Sequence, residues 1–522
     1  MLKHTTRRWL AGLGVAGAFV AASATPAAAQ APDVELAVYM NDITIATDSA
    51  GKIDEPRLFA SEPVVIEGLT VRFDYRGLGD KVTLKAEHSG DNCEAPEAGV
   101  LTCTPYFPTD IYDEWGTNLA AVLVAPTEGA QKGDAGDLKV TVSADGFDTV
   151  SYTSKIRIGE GVDLAGESET TVKAAPGAGF TVPLSLRNAG SSTVEGAVAV
   201  FHNDYAIRAG KRYSNCTYTD DHVRACHFDE TVAVGESRQA TLSYQLGKDT
   251  YAPGRAYGQF QWMTVAEYED YSNYLESRGI STGEPGDGPA LDLAPAASAQ
   301  RGTQADTNPD NNWSSLDITV TGTNGTDLEA VGASIAGTAG EEVVATVGFR
   351  NNGPATLDYG RAGSSVTYMT VGIPDGTTAV DVPEVCVPVK GKDEHGEAGE
   401  PGARTYFCYA EPIVLVGEEP TVDFTLRIDK VVPNATGAVK VNVPCQCDGG
   451  FYDDLKPAND TAKLLVNATG NGGGEGGGDG DDPTLPITGD STTLVAGIGG
   501  LLLAAGAAGF VVARRRRTRF VA

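Results

Sequence analysis

Eight cysteines offer the clearest chemistry in this 522-residue chain, because they fall into spaced pairs. Cys93 and Cys103 stand ten apart, as do Cys216 and Cys226. Cys386 and Cys408 are 22 apart, and Cys445 and Cys447 are two apart. An even count in an exported chain reads as disulfides, and C-x-x-C spacing with histidine partners, as a zinc site needs, is absent. The spacing predicts local bonds Cys93–Cys103 and Cys216–Cys226. The connectivity of Cys386, Cys408, Cys445 and Cys447 stays open, since residues two apart in a flat strand sit near the upper limit for a bridge. Histidines are few: past residue 29 they are His88, His202, His222, His227 and His395, and His222 and His227 flank Cys226 near Asp220 and Asp221. That group reads as a solvated hairpin tip, and no metal or cofactor is expected. Asp306-Thr307-Asn308-Pro309-Asp310-Asn311-Asn312 places oxygens at alternate positions, yet Asn311 stands where a calcium loop needs glycine. A structural Asx turn is expected there. No G-x-S-x-G elbow, H-E-x-x-H helix or phosphate loop occurs, so no catalytic residue is assigned.

A different chemistry is written near residue 488. Leu485-Pro486-Ile487-Thr488-Gly489 precedes an apolar stretch, Leu494 to Ala513, and then Arg514-Arg515-Arg516-Arg517. Residues 491–513 would span roughly 34 Å as a helix, enough to cross a bilayer. The basic tail, 514–519, cannot cheaply enter the membrane and stays cytoplasmic. Pro486 biases Leu485 towards an extended shape that suits an enzyme groove. This order of parts resembles the L-P-x-T-G sorting signal of sortase-anchored surface proteins of Gram-positive bacteria. The resemblance implies that a sortase thiolate attacks the Thr488 carbonyl, that Gly489 and the tail leave, and that the acyl group passes to an amine of a peptidoglycan precursor. Sortase recognition is thereby expected at Leu485, Pro486, Ile487, Thr488 and Gly489, with wall attachment at Thr488.

The other end agrees. Met1 to Arg8 is basic, Trp9 to Ala22 apolar, and small residues close a signal peptide, 1–29, with cleavage after Ala29. Thr6-Arg7-Arg8-Trp9-Leu10 is similar to a twin-arginine signal, and export by that route or by the general secretory one stays open. Both place the mature chain outside the cell, in contact with membrane only before sorting. The net charge of −31 repels nucleic acid and anionic lipid. Few lysines beside several cysteines fit an actinobacterial source.

The elements that carry these residues read as strands. Thr70 to Gly79, Val182 to Gly190 and Val344 to Gly353 each alternate apolar with other residues and end at a glycine turn. In the second and third copies a cysteine lies nine residues before a Gly-Glu turn, at Gly235-Glu236 and Gly417-Glu418. Strands are predicted at Ala240–Leu246 and Val422–Ile428 after those turns, and at Leu316–Val320 and Ala462–Val466 after Pro309–Asn312 and Pro457–Asp460. Short alternating strands with almost no amphipathic helix predict an all-β chain of antiparallel sandwiches. The R-N-x-G strand end, the V-x-x-G-E turn and the closing N-N or N-D turn resemble the Ig-like repeat domains of bacterial surface proteins, including the CARDB type.

The expected organisation is therefore three tandem Ig-like β-sandwich domains, flanked by the signal peptide and a C-terminal transmembrane sorting helix. Domains are expected at 30–161 (divergent), 162–323 and 324–469, then a Gly/Asp-rich linker, 470–484, and the sorting signal, 485–522. The second domain carries an insertion at about 265–300, where Tyr268, Tyr271 and Tyr274 fall near helical spacing among acids and could form a ligand face. The expected role is a non-enzymatic, wall-anchored adhesin, display stalk or structural module with an unidentified extracellular ligand or matrix partner. Two alternatives remain: a carbohydrate-, protein- or calcium-binding module using the insertion, and a secreted hydrolase with its active site in the first domain.

Overall fold

A computed structural model describes residues 34–87, 91–111, 115–166, 169–293, 302–358, 367–391, 394–411, 413–442 and 454–467. The leader with Ala29, the linker, the pentapeptide Leu485 to Gly489, the apolar stretch, and Cys445 and Cys447 lie outside the described residues. Almost every described element is a β-strand, and the single α-helix among the described residues is α1, Val265–Ser277. The chain forms two compact units. One comprises residues up to Gly247 with Arg255–Thr321, and the other comprises Lys248–Gly254 with Gly322 onward.

The first unit holds two sandwiches. In the later of these, the middle sandwich, one sheet orders Leu164–Gly166, Gly179–Asn188, Ser237–Leu246 and Ile207–Ala209. The facing sheet orders Glu169–Ala174, Trp313–Asn324, Ala252–Met263, Val194–Asn203, His222–Val232, Cys216–Thr219 and Glu284–Pro285. The first strand thus pairs antiparallel in one sheet, crosses over, and runs parallel to the last strand from Glu169↔Ser315 to Ala174↔Val320. This is the pairing of an immunoglobulin-type sandwich. The second unit repeats it: Leu328–Val331, Glu342–Asn351, Thr421–Ile428 and Thr377–Asp381 face a sheet that starts with Ala333–Ile335 parallel to Thr461–Val466. The four strands expected after the Gly-Glu and closing turns lie within Ser237–Leu246, Thr421–Ile428, Trp313–Asn324 and Thr461–Val466.

The first sandwich has the same strand order, with one difference from the sequence reading. Ile43–Ala46, Val150–Val162, Ala135–Ser143, Thr70–Asp74, Val100–Pro105 and Asp91–Glu94 form one sheet. Thr70–Asp74 therefore occupies the place of Val194–Asn203, not that of Gly179–Asn188 to which its pattern likened it. The counterpart of Gly179–Asn188 is a strand broken at Pro56 into Lys52–Asp54 and Arg57–Ala60, because proline donates no ladder bond. That break hides the alternation that a repeat search relies on.

Each sandwich carries a disulfide between the same two strands. Cys93–Cys103, Cys216–Cys226 and Cys386–Cys408 each join residues directly opposite in register. The motif residues hold the neighbouring loops. Asn188, fully buried, donates from Nδ2 to the carbonyls of Ser192 and Val232 at 2.8 and 2.9 Å, and its Oδ1 accepts from Gly190 N at 3.0 Å. Asn351 makes the same three bonds with Ala355, Val414 and Gly353. Gly235 and Gly417, at φ +76° and +84°, donate their N–H back to the carbonyls of Asn188 and Asn351. Glu236 and Glu418 each cap their own turn by accepting from the backbone N–H three residues before.

Candidate ligand groove in the first unit

The middle sandwich buries Trp262 completely, with its Nε1 donating to the Ser185 carbonyl of the facing sheet at 2.8 Å. Phe201, opposite Phe260 in register, points the same way. Val198 and Val200 therefore face outward, yet they are as buried as core residues. Helix α1 covers them. Val265, Tyr268 and Tyr271 pack on Val198, Val200 and Ala225. The run Ala197-Val198-Ala199-Val200-Phe201 shows this in the sequence, since a strand buried on both faces is continuously apolar rather than alternating.

Thr264 and Glu267 start the helix as a capping box. The Glu267 N–H donates to Thr264 Oγ1 at 3.3 Å and the Thr264 N–H donates to Glu267 Oε2 at 3.0 Å. Glu267 Oε1 accepts from the Asp306 N–H at 3.0 Å and forms an ion pair with Lys52 of the first sandwich. Burial opposes the Glu267 charge, but the Lys52 ammonium and these backbone N–H groups outweigh it and hold its pKa below the usual value. One turn on, Asp270 pairs with Arg157 of the first sandwich, and burial nevertheless pushes its carboxyl up. Asn273 Nδ2 donates to Asp42 at 3.5 Å. Past the helix, Arg278 stacks over Phe59 at 4.4 Å and Trp115 at 5.7 Å. Gln304–Asp306 then adds a short parallel strand to the end of Val150–Val162. The insertion is thus a brace between the two sandwiches of this unit.

The three tyrosines of the expected ligand face go to different neighbours. Tyr268 meets His227 edge-on at 4.8 Å, Tyr271 meets His202 at 6.5 Å, and Tyr274 meets Tyr39 of the first sandwich at 5.8 Å. Tyr268 is committed to packing. Tyr271 and Tyr274 also line a groove of about 710 Å³ between α1 and the first sandwich. Asn41, Asp42, Asp54, Leu123, Met263 and Asn312 line it as well, beside the paired Lys52, Glu267 and Asp270. Asn41 Nδ2 donates to Asp54 Oδ1 at 2.9 Å. Asn41 Oδ1, Asp54 Oδ2 and Asn312 Oδ1 are buried acceptors without a hydrogen-bond partner. Burial pushes the Asp54 carboxyl up to about 6, against the Asn41 bond. The groove residues of the first sandwich carry no sequence signal of their own, since only tertiary packing brings Asn41 and Asp54 to α1.

The other candidate sites resolve into structure. Asp306 Oδ1 accepts from the Asn308 N–H at 2.7 Å, an Asx turn, and Oδ2 accepts from Leu164 N–H at 2.7 Å. Asp454 repeats both bonds with Lys456 and Leu328. Burial lifts Asp306 to about 7, with the charges of Glu267 and Asp163 adding to it. Asp317 pairs with Arg255 at 2.5 Å. His222 Nε2 contacts the Tyr205 carbonyl at 2.7 Å and Nδ1 contacts Asp221, while His227 lies under Tyr268. Among the described residues no cluster of metal-ligating side chains forms.

Comparison with known proteins bears on both ends of this picture. Residues 479–518 match the family described as LPXTG cell wall anchor motif. No curated protein sequence matches the chain. Solved structures that align with it include the I-band fragment I67–I69 from titin, at 6% identity, 84% of this chain, 96% of that one and a TM-score of 0.14. Dpr2 Ig1-Ig2 in complex with DIP-Theta Ig1-Ig3 aligns at 5% identity over 83% of this chain and 99% of that one, with a TM-score of 0.20. A protein of unknown function from Porphyromonas gingivalis W83 aligns at 9% identity over 44% of this chain and 92% of that one, with a TM-score of 0.15. The chain carries an LPXTG cell wall anchor motif on immunoglobulin-type sandwiches, and it is a sortase-anchored surface protein of the extracellular cell wall.

Proposed function

We propose that the protein is a non-enzymatic surface module, an adhesin or display stalk, joined to peptidoglycan through Thr488. The observation that carries this is the anchor match over residues 479–518, which encloses Leu485-Pro486-Ile487-Thr488-Gly489. A sortase thiolate adds to the Thr488 carbonyl, the Thr488–Gly489 bond breaks, and the Gly489 amine leaves with a proton. A precursor amine then displaces the thiolate and keeps Thr488 as its amide. The three domains are proposed at 30–161, 162–323 and 324–469, each with its own disulfide. Thr488→Ala should leave the fold intact and move the protein from the wall fraction to membrane or medium. A mutant that still resists hot-detergent extraction of purified walls would show that attachment lies elsewhere.

A second reading, a ligand-binding module, is favoured by the 710 Å³ groove beside α1. Its size falls within the ordinary range for small-ligand sites.

A further inference from the structure

We infer that the groove between α1 and the first sandwich binds a small organic ammonium ion, a protonated amine on an apolar or aromatic frame. This rests on the ligand-binding reading and gives it a chemical class. The charges of the site decide the sign. Lys52 and Arg157 are committed to Glu267 and Asp270. Among the described residues, Asp42 and Asp54 line the groove with no ion pair of their own. The polar atoms decide the type. Asn41 Oδ1, Asp54 Oδ2 and Asn312 Oδ1 are buried acceptors without a hydrogen-bond partner in residues of the groove wall, and Asn312 is only 2% exposed. Leaving such acceptors unpaired is costly, and an ammonium group supplies N–H donors and the positive charge that Asp42 and Asp54 lack. The walls decide the frame. Tyr271, Tyr274, Met263, Leu123 and Ile53 give apolar and aromatic surface, and tyrosine faces attract a cation besides. A carboxylate or phosphate would face Asp42 and Asp54, with the lysine of the lining, Lys52, already held by Glu267.

The test uses the whole exported protein, released from walls with a muramidase, and isothermal titration calorimetry. Tyramine and 1,6-diaminohexane are the probes; their neutral isosteres, tyrosol and 1,6-hexanediol, and cellobiose are the comparisons. At least one amine should bind saturably, at least about tenfold tighter than its isostere. Asp54→Asn should lower that affinity about tenfold or more. Ala50→Trp, at an exposed position on the groove rim, should do the same by plugging the mouth, and it decides the matter if Asp54→Asn does not fold. Equal binding of amines and isosteres, binding of cellobiose alone, no binding by either amine, or binding that survives both variants would each overturn the inference. Wall retention of these variants, read by the fractionation used for Thr488→Ala, is independent of the groove, so the two readings fail separately.

Discussion

Lys52 and Glu267 form an ion pair across 215 residues of sequence, and the pair ties the first sandwich to the helix of the middle one. The Glu267 side chain is 10% exposed and that of Lys52 26%, so the two ends of the pair are not equivalent. Removing Lys52 as Lys52→Met strands a buried carboxylate. Glu267→Gln keeps the capping box, which glutamine also serves, and strands an ammonium that can turn to water. We expect Lys52→Met to cost about 3 kcal/mol or more and Glu267→Gln about 1–2 kcal/mol. Denaturant unfolding of the first unit checks this; equal losses would show that the ion pair contributes nothing beyond packing.

Stability of the first unit should fall as pH rises from about 4 to 7. The folded state holds a proton on Asp306 up to about pH 7 and on Asp54 up to about pH 6, against ordinary values of 3.8. Between those values the folded chain binds more protons than the unfolded one, so raising the pH favours unfolding. Glu267 acts oppositely: its folded pKa is depressed, so its contribution is present above the ordinary 4.5 and is lost as pH falls through the folded value. A melting temperature that peaks near about pH 4 is expected, and Asp306→Asn should flatten the slope above it. An unchanged slope in that variant would assign the effect to other groups.

Asn188→Ala and Asn351→Ala should destabilise their own units by similar amounts, about 2–4 kcal/mol, because each removes the same three hydrogen bonds, two to loop or strand carbonyls and one from a glycine N–H. Chemical denaturation of each variant measures it. A loss under about 0.5 kcal/mol in either would mean that water replaces the side chain.

Peptide mapping without reduction should recover Cys93–Cys103, Cys216–Cys226 and Cys386–Cys408. With Cys386 and Cys408 joined to each other, Cys445 and Cys447 are left to bond mutually, and a fourth short-loop peptide is expected. Replacing Cys216 and Cys226 together by serine should cost about 2–3 kcal/mol, from the entropy of a ten-residue loop. Free thiols at Cys445 and Cys447 would refute the fourth bond only.

How much of this was legible depends on how local the cause is. Asn188, Gly190, Gly235 and Glu236 interact within one pair of loops, so their recurrence as Asn351, Gly353, Gly417 and Glu418 could be read directly. The disulfides Cys93–Cys103 and Cys216–Cys226 were legible for the same reason. The first sandwich was misaligned because Pro56 divides the strand that should have matched, while Thr70–Asp74 imitates it from the next position. The tyrosine spacing marked a helix correctly, but spacing cannot say which tyrosine meets which sandwich. Asn41, Asp54 and Asn312 were not legible as a group, since docking of α1 on the first sandwich is what assembles them.

The crossover of each first strand has a mechanical meaning for a chain held at the wall by one end. Glu169–Ala174 runs parallel to Trp313–Asn324, near the entry and exit of the middle sandwich, and Ala333–Ile335 runs parallel to Thr461–Val466 in the second unit. Tension applied along the chain slides such strands past each other rather than peeling them apart. The ladder bonds between them then share the pull together instead of breaking one after another. In the middle sandwich the shared ladder extends from Glu169 to Ala174, so that sandwich should yield to flow or traction later than the second unit, whose parallel ladder covers only Ala333 to Ile335.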